Sequence, residues 1–513
     1  MIVIFHHNNT IVSVETDDKA TITFSKGTSL VDFIFKMAEE YPMRKIVWCH
    51  QSLQSSLNTS FIKSNSAYQQ TLYSYNPSSE PYLSDAIAYM EHSPFINVNK
   101  KLTYPTWLMS SAVGYAQAAV FLKIKQHPPS DNLDYFLNSI AKIYMPLGLF
   151  CYSEPQLLLS SVSVNHKVNT ASTQQLFKFV KQHFRTRWVF LLLFDLVVYE
   201  KKCPLFSFLT AFLCQKVQAV NYSLAEVPFL AADSSNTPNT VDVLIPTIGR
   251  KQYLYDVLCD LKKQTLLPST VIIVEQNFDP SLESELDYLT TESWPFAIKH
   301  TFTKQLGACN ARNIALSQLE SKWVFFADDD VRFGTTFLEE CLQNCIHFGK
   351  KAITISCLRE GETLLDGPPV QWETFGTCSS FVAREAINNL RFNMGFEFGY
   401  GEDADYGKKI RDQGTDVVFF TKPSMLHLKA PIGGFRTKFS FEWEQETILP
   451  KPSPTVMLYK LLYCTPKELL GYKTVLFFKY YPKQNIKNPF AYASYFKKQW
   501  NQSVKWAKRL ETK

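Results

Sequence analysis

Trp323-Val324-Phe325-Phe326-Ala327-Asp328-Asp329-Asp330 is the stretch that decides how the chain is read. Its first five residues are an apolar, aromatic run of the kind a strand shows when both faces are buried. Three carboxylates follow at once. In a core they would be costly, but at the mouth of an open α/β sheet, where ligands bind, a cation can balance them. Hard oxygen ligands at a strand end suit Mg²⁺ or Mn²⁺ holding a diphosphate. A solvated acidic turn would look the same in isolation, so the neighbouring segments carry the decision.

Upstream, 241–245 reads as a strand ending at Pro246-Thr247-Ile248-Gly249-Arg250. A helix over 253–264 and a second strand over 270–275, closed by Glu275, come next. Strand–helix–strand alternation implies a parallel sheet. Gly307 precedes a helix over 308–317 that bears Arg312 and Asn313. Three successive strands thus deliver polar groups to one edge, converging on the acids. Downstream, Glu402 and Asp403 head a helix running to Arg411, and His427 lies on an apolar run. Each of these has a plain structural reading too. Carboxylates suit a helix N-terminus, Arg312 suits an ion pair, and a single histidine can be a satisfied core residue.

Taken in order, Ile-Pro-Thr-x-x-Arg, a strand closed by an acid, Gly-x-x-x-Ala-Arg-Asn, Phe-x-Asp-Asp-Asp and Gly401-Glu402-Asp403-Ala404-Asp405 resemble the inverting family 2 glycosyltransferases of the GT-A fold. The likeness covers about 240–440, and five motifs in the right order are specific where one is not. It implies the following roles. Pro246, Thr247 and Arg250 border the nucleoside, Glu275 stands where the family reads the base, and Arg312 lies beside the nucleotide. Asp328 contacts the ribose or donor sugar, with Asp329 in the same nucleotide-sugar set. Asp330 ligates a divalent metal, Mn or Mg, with His427 as a further ligand, and Asp403 is the general base. His427 with Gly433, Gly434 and Arg436 resembles the segment that closes over the diphosphate, and 375–381 the wall of the donor sugar. Two departures stand out. Glu275-Gln276-Asn277-Phe278 replaces the usual Asp-Gly-Ser, and no Gln-x-x-Arg-Trp follows near 436–446, which disfavours processive polymerisation.

The chemistry accounts for these residue types. A departing nucleoside diphosphate gathers negative charge, which a divalent cation stabilises. An attacking hydroxyl must lose its proton, and a carboxylate within reach accepts it. The expected activity is therefore a metal-dependent inverting transfer of sugar from a nucleotide donor, a UDP-sugar for preference, to a hydroxyl of a glycan or lipid-linked acceptor, in surface polysaccharide or glycoconjugate synthesis. A nucleotidyltransferase would need a Gly-rich, basic loop that 245–250 does not supply. A non-catalytic scaffold built from degenerate GT-A domains is the other reading.

The remainder organises around that domain. At 513 residues, 46% hydrophobic and 19% charged, the chain has room for two or three globular domains. Residues 1–160 read as a degenerate α/β module, itself GT-A-like, with strands over 2–5 and 45–49, a helix over 29–40 and another over 112–124. His6 and His7, adjacent on a strand, are expected to face opposite ways and to be structural. Asp134-Tyr135 heads a helix, then Gly148 and an apolar run, in the order that Asp405-Tyr406 begins further on. That order fits either a duplication whose first copy lost its acids or the commonness of helix-then-strand units.

A bridge over 170–235 holds apolar runs 188–199 and 204–213, too short to span a bilayer. They read as two buried helices, with a pair dipping into a bilayer surface as the sharper alternative. Asp233 to Asn239 reads as the boundary loop. The tail, 441–513, has thirteen Lys and Arg against five acids, more excess than the +6 of the whole chain. Its helix around Trp500 and Trp506 suits either an anionic leaflet or packing back on the catalytic domain. Nucleic acid is not expected as a partner. Eleven cysteines without a paired framework and no signal-like N-terminus point to the cytoplasm, with peripheral contact at the inner membrane face through bridge or tail.

Overall fold

The computed structural model describes the chain apart from residues 18–21, 26, 66–69, 129, 160–168, 220–238, 278, 280, 365, 432–438 and 513. The boundary loop at 233–238 and the Gly433, Gly434 and Arg436 segment therefore lie outside the described residues. Two compact units result, one of Met1–Leu230 with Tyr463–Lys483, the other of Ala231–Leu462 with Gln484–Lys513.

The first unit runs β1 (Ile2–His7), β2 (Thr10–Thr16), α1 (Leu30–Glu40), β3 (Lys45–His50), α2 (Thr59–Ser64), β4 (Thr71–Tyr75), β5 (Tyr104–Pro105), β6 (Val113–Gln117), α3 (Ala118–Lys123), α4 (Leu133–Tyr144), β7 (Phe150–Ser153), α5 (Thr173–His183), α6 (Arg187–Glu200) and α7 (Leu205–Ala211). Its sheet order is β2-β1-β3-β6-β4-β7-β5. The helical spacing of Leu30, Ile34, Met37 and Ala38 lays α1 onto the core.

Two expectations fail here. Residues 113–117 are a strand rather than the start of a helix, paired antiparallel to both β3 and β4. Gly114 is the reason: a Cβ there would sit 2.3 Å from the Trp48 ring and 2.5 Å from the Tyr73 carbonyl, so only glycine lets three strands close together. Nor do His6 and His7 diverge. The β1–β2 register shifts between Phe5 and His6, and both imidazoles lie against His50, with ring centres 5.5 and 5.1 Å away. His6 also hydrogen-bonds the Ser111 carbonyl at 2.8 Å.

The second unit runs β8 (Val241–Thr247), α8 (Lys251–Lys262), β9 (Thr270–Gln276), α9 (Tyr288–Thr291), β10 (Ala297–Thr303), α10 (Ala308–Leu316), β11 (Trp323–Ala327), β12 (Val331–Phe333), α11 (Phe337–His347), β13 (Ala352–Arg359), β14 (Val370–Gln371), β15 (Ser379–Ala383), α12 (Glu402–Asp412), β16 (Val418–His427) and α13 (Pro454–Tyr463). Sheet order is β10-β9-β8-β11-β15-β13-β16-β12. The β10, β9, β8 and β11 strands are mutually parallel, as the alternation predicted, and β15 then reverses direction. All five residues of β11 are buried. Asp242, an acid inside β8, is fully buried because the amides of Glu320 and Ser321 and the Ser321 hydroxyl all donate to it.

The two sheets share a plan. In each, the first strand (β1 or β8) lies parallel to the next (β3 or β11), which is antiparallel to β6 or β15. That strand is antiparallel to β4 or β13, which is parallel to β7 or β16, and a short strand, β5 or β12, closes the edge antiparallel.

Beyond α13, helix α14 (Pro466–Tyr480), expected in the tail, belongs to the first unit. Gly471 explains it, since a Cβ there would fall 2.2 Å from the Tyr89 carbonyl. Helix α15 (Pro489–Glu511) instead packs within the second unit. It buries Tyr492, Phe496, Trp500, Ser503, Ala507 and Leu510 along one stripe. Trp506 donates to Glu446 at 3.0 Å and Ser503 to the Pro452 carbonyl at 2.7 Å. The tail is thus a packed helix whose tryptophans are not presented to solvent.

Candidate active site

The sheet of the second unit gathers the polar groups at the carboxyl ends of β8, β9 and β11. Chain direction does this: parallel neighbours end on the same edge. Thr247 and Glu275 are register partners across β8 and β9. The Thr247 hydroxyl donates to Asp329 at 2.6 Å, and Arg250 forms an ion pair with the same carboxylate. Asp329 is almost fully enclosed. Burial pushes its carboxyl up to about 6, against the pull of Arg250 and Thr247. Its partners are therefore internal, and it fixes Thr247 and Arg250 rather than facing the opening.

Asp330 shares Arg250 with Asp329 and also reaches β16. Its Oδ1 lies 3.3 Å from His427 Nε2. Its Oδ2 accepts from the Ala430 amide at 2.9 Å and lies 3.4 Å from Arg250. The pairing of Val331 with His427 in the β12–β16 ladder brings these two residues side by side. Although burial opposes it, hydrogen bonds from His427 and Ala430 hold the Asp330 carboxyl down at about 2. A carboxylate oxygen beside an imidazole nitrogen is a donor pair that a divalent ion can use. Among the described residues no group of three His, Cys, Asp or Glu could hold a metal. An ion here would take only these two side chains and leave its other positions to phosphate oxygens and water.

Asp328 is the least enclosed of the three acids and takes a 3.0 Å ion pair from Arg312. Arg312 is itself buried, with its guanidinium over the face of the Phe392 ring. Burial acts against its charge, but Asp328, Asp403 and Glu402 together raise its pKa. Asp328 in turn raises Asp403 by repulsion, so the two ends of the site share one electrostatic field.

Asp403 is the second residue of α12. The Thr377 hydroxyl and amide both donate to its Oδ1, at 2.6 and 3.2 Å. Burial is the largest influence on Asp403 and raises its pKa. The neighbouring Glu402 is pushed up to about 7, by burial first and the Asp403 charge second. Glu275, nearby on β9, accepts from His300 at 2.9 Å and from the Glu285 amide. Burial is the largest influence and would raise it, but the hydrogen bonds from His300, Ser284 and the Glu285 amide together outweigh it and its pKa falls. Pro246 follows Ile245 in β8, half-buried beside Thr247.

Glu397 and Cys357 escape sequence reasoning, and Thr377 and Cys378 enter it only as part of the 375–381 wall. Thr377 holds Asp403. Glu397 caps α10, accepting from the amides of Cys309 and Asn310 at 3.0 and 2.8 Å. Gly307, with φ +132°, makes room for it, because a Cβ would lie 2.2 Å from the Glu397 carboxylate. Cys357 and Cys378 hydrogen-bond each other within the field of Asp328, and contact with Cys357 together with burial drives the Cys378 thiol pKa up. A single cysteine in a strand or a threonine in a turn gives no pattern to find.

Residues 242–402 match the model of a family described as glycosyl transferase family 2. They are a glycosyltransferase domain of that family, and the second unit carries its GT-A fold. No curated protein matches the chain. Among solved structures, S. aureus TarS 1–349 is 16% identical with a TM-score of 0.31, over 37% of this chain and 60% of that one. The same TarS segment in complex with UDP-GlcNAc is 15% identical with a TM-score of 0.34, over 46% and 70%. GalNAc-T7 with UDP, GalNAc and Mn²⁺ is 10% identical with a TM-score of 0.37, over 51% and 55%. The chain spans about 60% of the first of these, and overlays this partial add nothing to the family match.

Proposed function

We propose that the chain is an inverting glycosyltransferase that uses a divalent metal to move a sugar from a nucleotide donor, a UDP-sugar, to a hydroxyl of a glycan or lipid-linked acceptor. The contact of Asp330 with His427, in a mouth that also holds Asp328 and Arg312, supports this reading most. Asp330 and His427 would hold the ion, which supplies positive charge to the leaving diphosphate. Arg250, braced by Asp329, would pair with a phosphate oxygen. Thr247 and Glu275 border the nucleoside, and Asp328, oriented by Arg312, receives a ribose or sugar hydroxyl. Asp403 takes the acceptor proton. Thr377 occupies one of its oxygens, which fixes the carboxylate and leaves the other oxygen to the acceptor. Attack from the side opposite the leaving group, with one base and no nucleophile on the enzyme, inverts the anomeric centre.

The first unit serves this reading as a degenerate GT-A-like half. The shared strand plan supports that, and so does one detail of side-chain bonding. Asp134, second residue of α4, takes bonds of 2.7 Å from both the amide and the hydroxyl of Ser111. Ser111 stands two residues before β6 as Thr377 stands two before β15. A role in surface polysaccharide or glycoconjugate synthesis sets the chain near a membrane, and the bridge suits that place better than the packed tail.

The test is release of UDP from a panel of UDP-sugars with Mn²⁺ added. Turnover that chelation abolishes and Asp330→Asn removes is the expected result. Equal turnover in Asp330→Asn would refute the metal assignment, and none with any sugar nucleotide would refute the enzyme.

A further inference from the structure

The bridge helices were expected to be buried, and half of each is not. Helix α6 turns Val189, Leu192, Asp195 and Leu196 inward, onto the core of the first unit. Its other face is equally apolar and has no cover among the described residues. Phe190 is 55% exposed, and on α7 and just after it Phe206, Leu209 and Leu213 are 72%, 63% and 85% exposed. The patch is continuous. Phe190 stacks edge-on with Phe208 and lies against Phe212, and Phe194 meets the exposed Phe478 of α14 at 5.1 Å. A monomer seldom leaves so many large side chains together in water.

Charge says what covers them. Arg185, Arg187, Lys201, Lys202 and Lys216 are exposed around the two helices, and Lys479 and Lys483 beyond Phe478. Between 185 and 216 the acids are Asp195 and Glu200 alone. Glu200 is half-enclosed by Lys202 and Lys467. Asp195, the acid that interrupts the apolar run, faces inward and accepts from Thr474 at 2.6 Å. Among the described residues the outer face thus carries aromatics, leucines and a cationic rim with no free carboxylate. No helix of the described residues is long and apolar enough to cross a membrane. A protein partner or second copy would need acids to meet that rim, whereas an anionic bilayer offers phosphates above an apolar interior.

We propose that the outer face of α6 and α7, with Phe478, seats the first unit in the headgroup region of an anionic lipid bilayer. This takes up the membrane-proximal part of the reading above and is independent of its chemistry. Flotation of the full chain with vesicles of phosphatidylcholine, with and without phosphatidylglycerol, tests it. Binding is expected to the mixed vesicles, weakened by high salt. The exposed pair Phe206→Ser and Leu209→Ser should weaken it by at least about tenfold, from the apolar area withdrawn. Lys201→Glu with Lys216→Glu should abolish the preference for phosphatidylglycerol. UDP-sugar turnover in solution should survive these changes, which separates failure here from failure of the catalytic assignment. A full chain that stays with neither vesicle overturns the proposal. So does a chain that self-associates through this face, its oligomer broken by the same serines while vesicle binding is unchanged.

Discussion

Replacing Glu402 by glutamine should make the catalytic unit more stable, by an amount that grows as the pH rises from 4.5 to 7. The carboxyl titrates at about 7 rather than 4.5, because burial and the adjacent Asp403 disfavour its charge. A folded-state pKa raised above the unfolded one means the folded protein holds its proton longer. The cost is therefore absent below the unfolded pKa, grows through the window from 4.5 to 7 and is complete above it. Its full size is about 3 kcal/mol, an upper bound because the residue is not wholly enclosed. Glutamine keeps the shape and discards the charge. The gain expected on Glu402→Gln is about 1 kcal/mol at pH 5 and about 3 kcal/mol at pH 8. A chain of two units need not unfold in one step, so the measurement is hydrogen exchange in peptides covering 402–412, at both pH values. Protection that rises equally at pH 5 and pH 8 would show that bonding rather than charge is at work. A variant less protected at pH 8 than the native chain would refute the reasoning outright.

Thr377→Val removes the 2.6 Å bond to Asp403 while keeping side-chain volume. A lost charge-assisted bond of about 1.5–3 kcal/mol should move the acid limb of kcat/KM upward by about 1–2 pH units, with Thr377→Ser restoring it. A profile that does not move places the base elsewhere. Asp403→Asn should leave UDP-sugar binding intact and lower turnover at least about 100-fold, read by UDP release with acceptor present. Gly307→Ala forces a Cβ into the Glu397 carboxylate at a left-handed φ and should destabilise the unit by about 2–4 kcal/mol, seen as a lowered melting temperature. An unchanged melting temperature would show that α10 has room to move.

Much of the catalytic unit could be read from the sequence because its strands are buried on both faces. Continuous apolar runs such as 323–327 have one interpretation, and β11 covers those residues. Order along a parallel sheet then fixes which ends meet. Where reading failed, a long-range contact decided. The Ala-rich stretch at 112–124 has helical propensity, yet Gly114 against Trp48 commits its first half to the sheet. Helix α14 reads like tail until Gly471 meets the Tyr89 backbone. Asp329 sits among three identical letters, and only the positions of Thr247 and Arg250 separate it from the two acids beside it. The bridge was ambiguous for another reason. A helix apolar all round looks the same whether its second face meets protein or lipid.

The two halves together bear on what in this site marks catalysis. Ser111 grips Asp134 as Thr377 grips Asp403, though the first unit has Gln51, Ser52 and Leu53 after β3 where the second has Asp328 to Asp330 after β11. Burial lifts the Asp134 carboxyl to about 6, and Ser111 pulls against it. An aspartate clamped to the turn before an antiparallel strand is therefore stable in this architecture without any acid trio nearby, since it ties that turn to the head of the following helix. The clamp alone does not mark a catalytic base. What distinguishes Asp403 is the company it keeps: Arg312 and Asp328 share its field, whereas the carboxylate of Asp134 is closed off by Ser111, with both of its oxygens already taken.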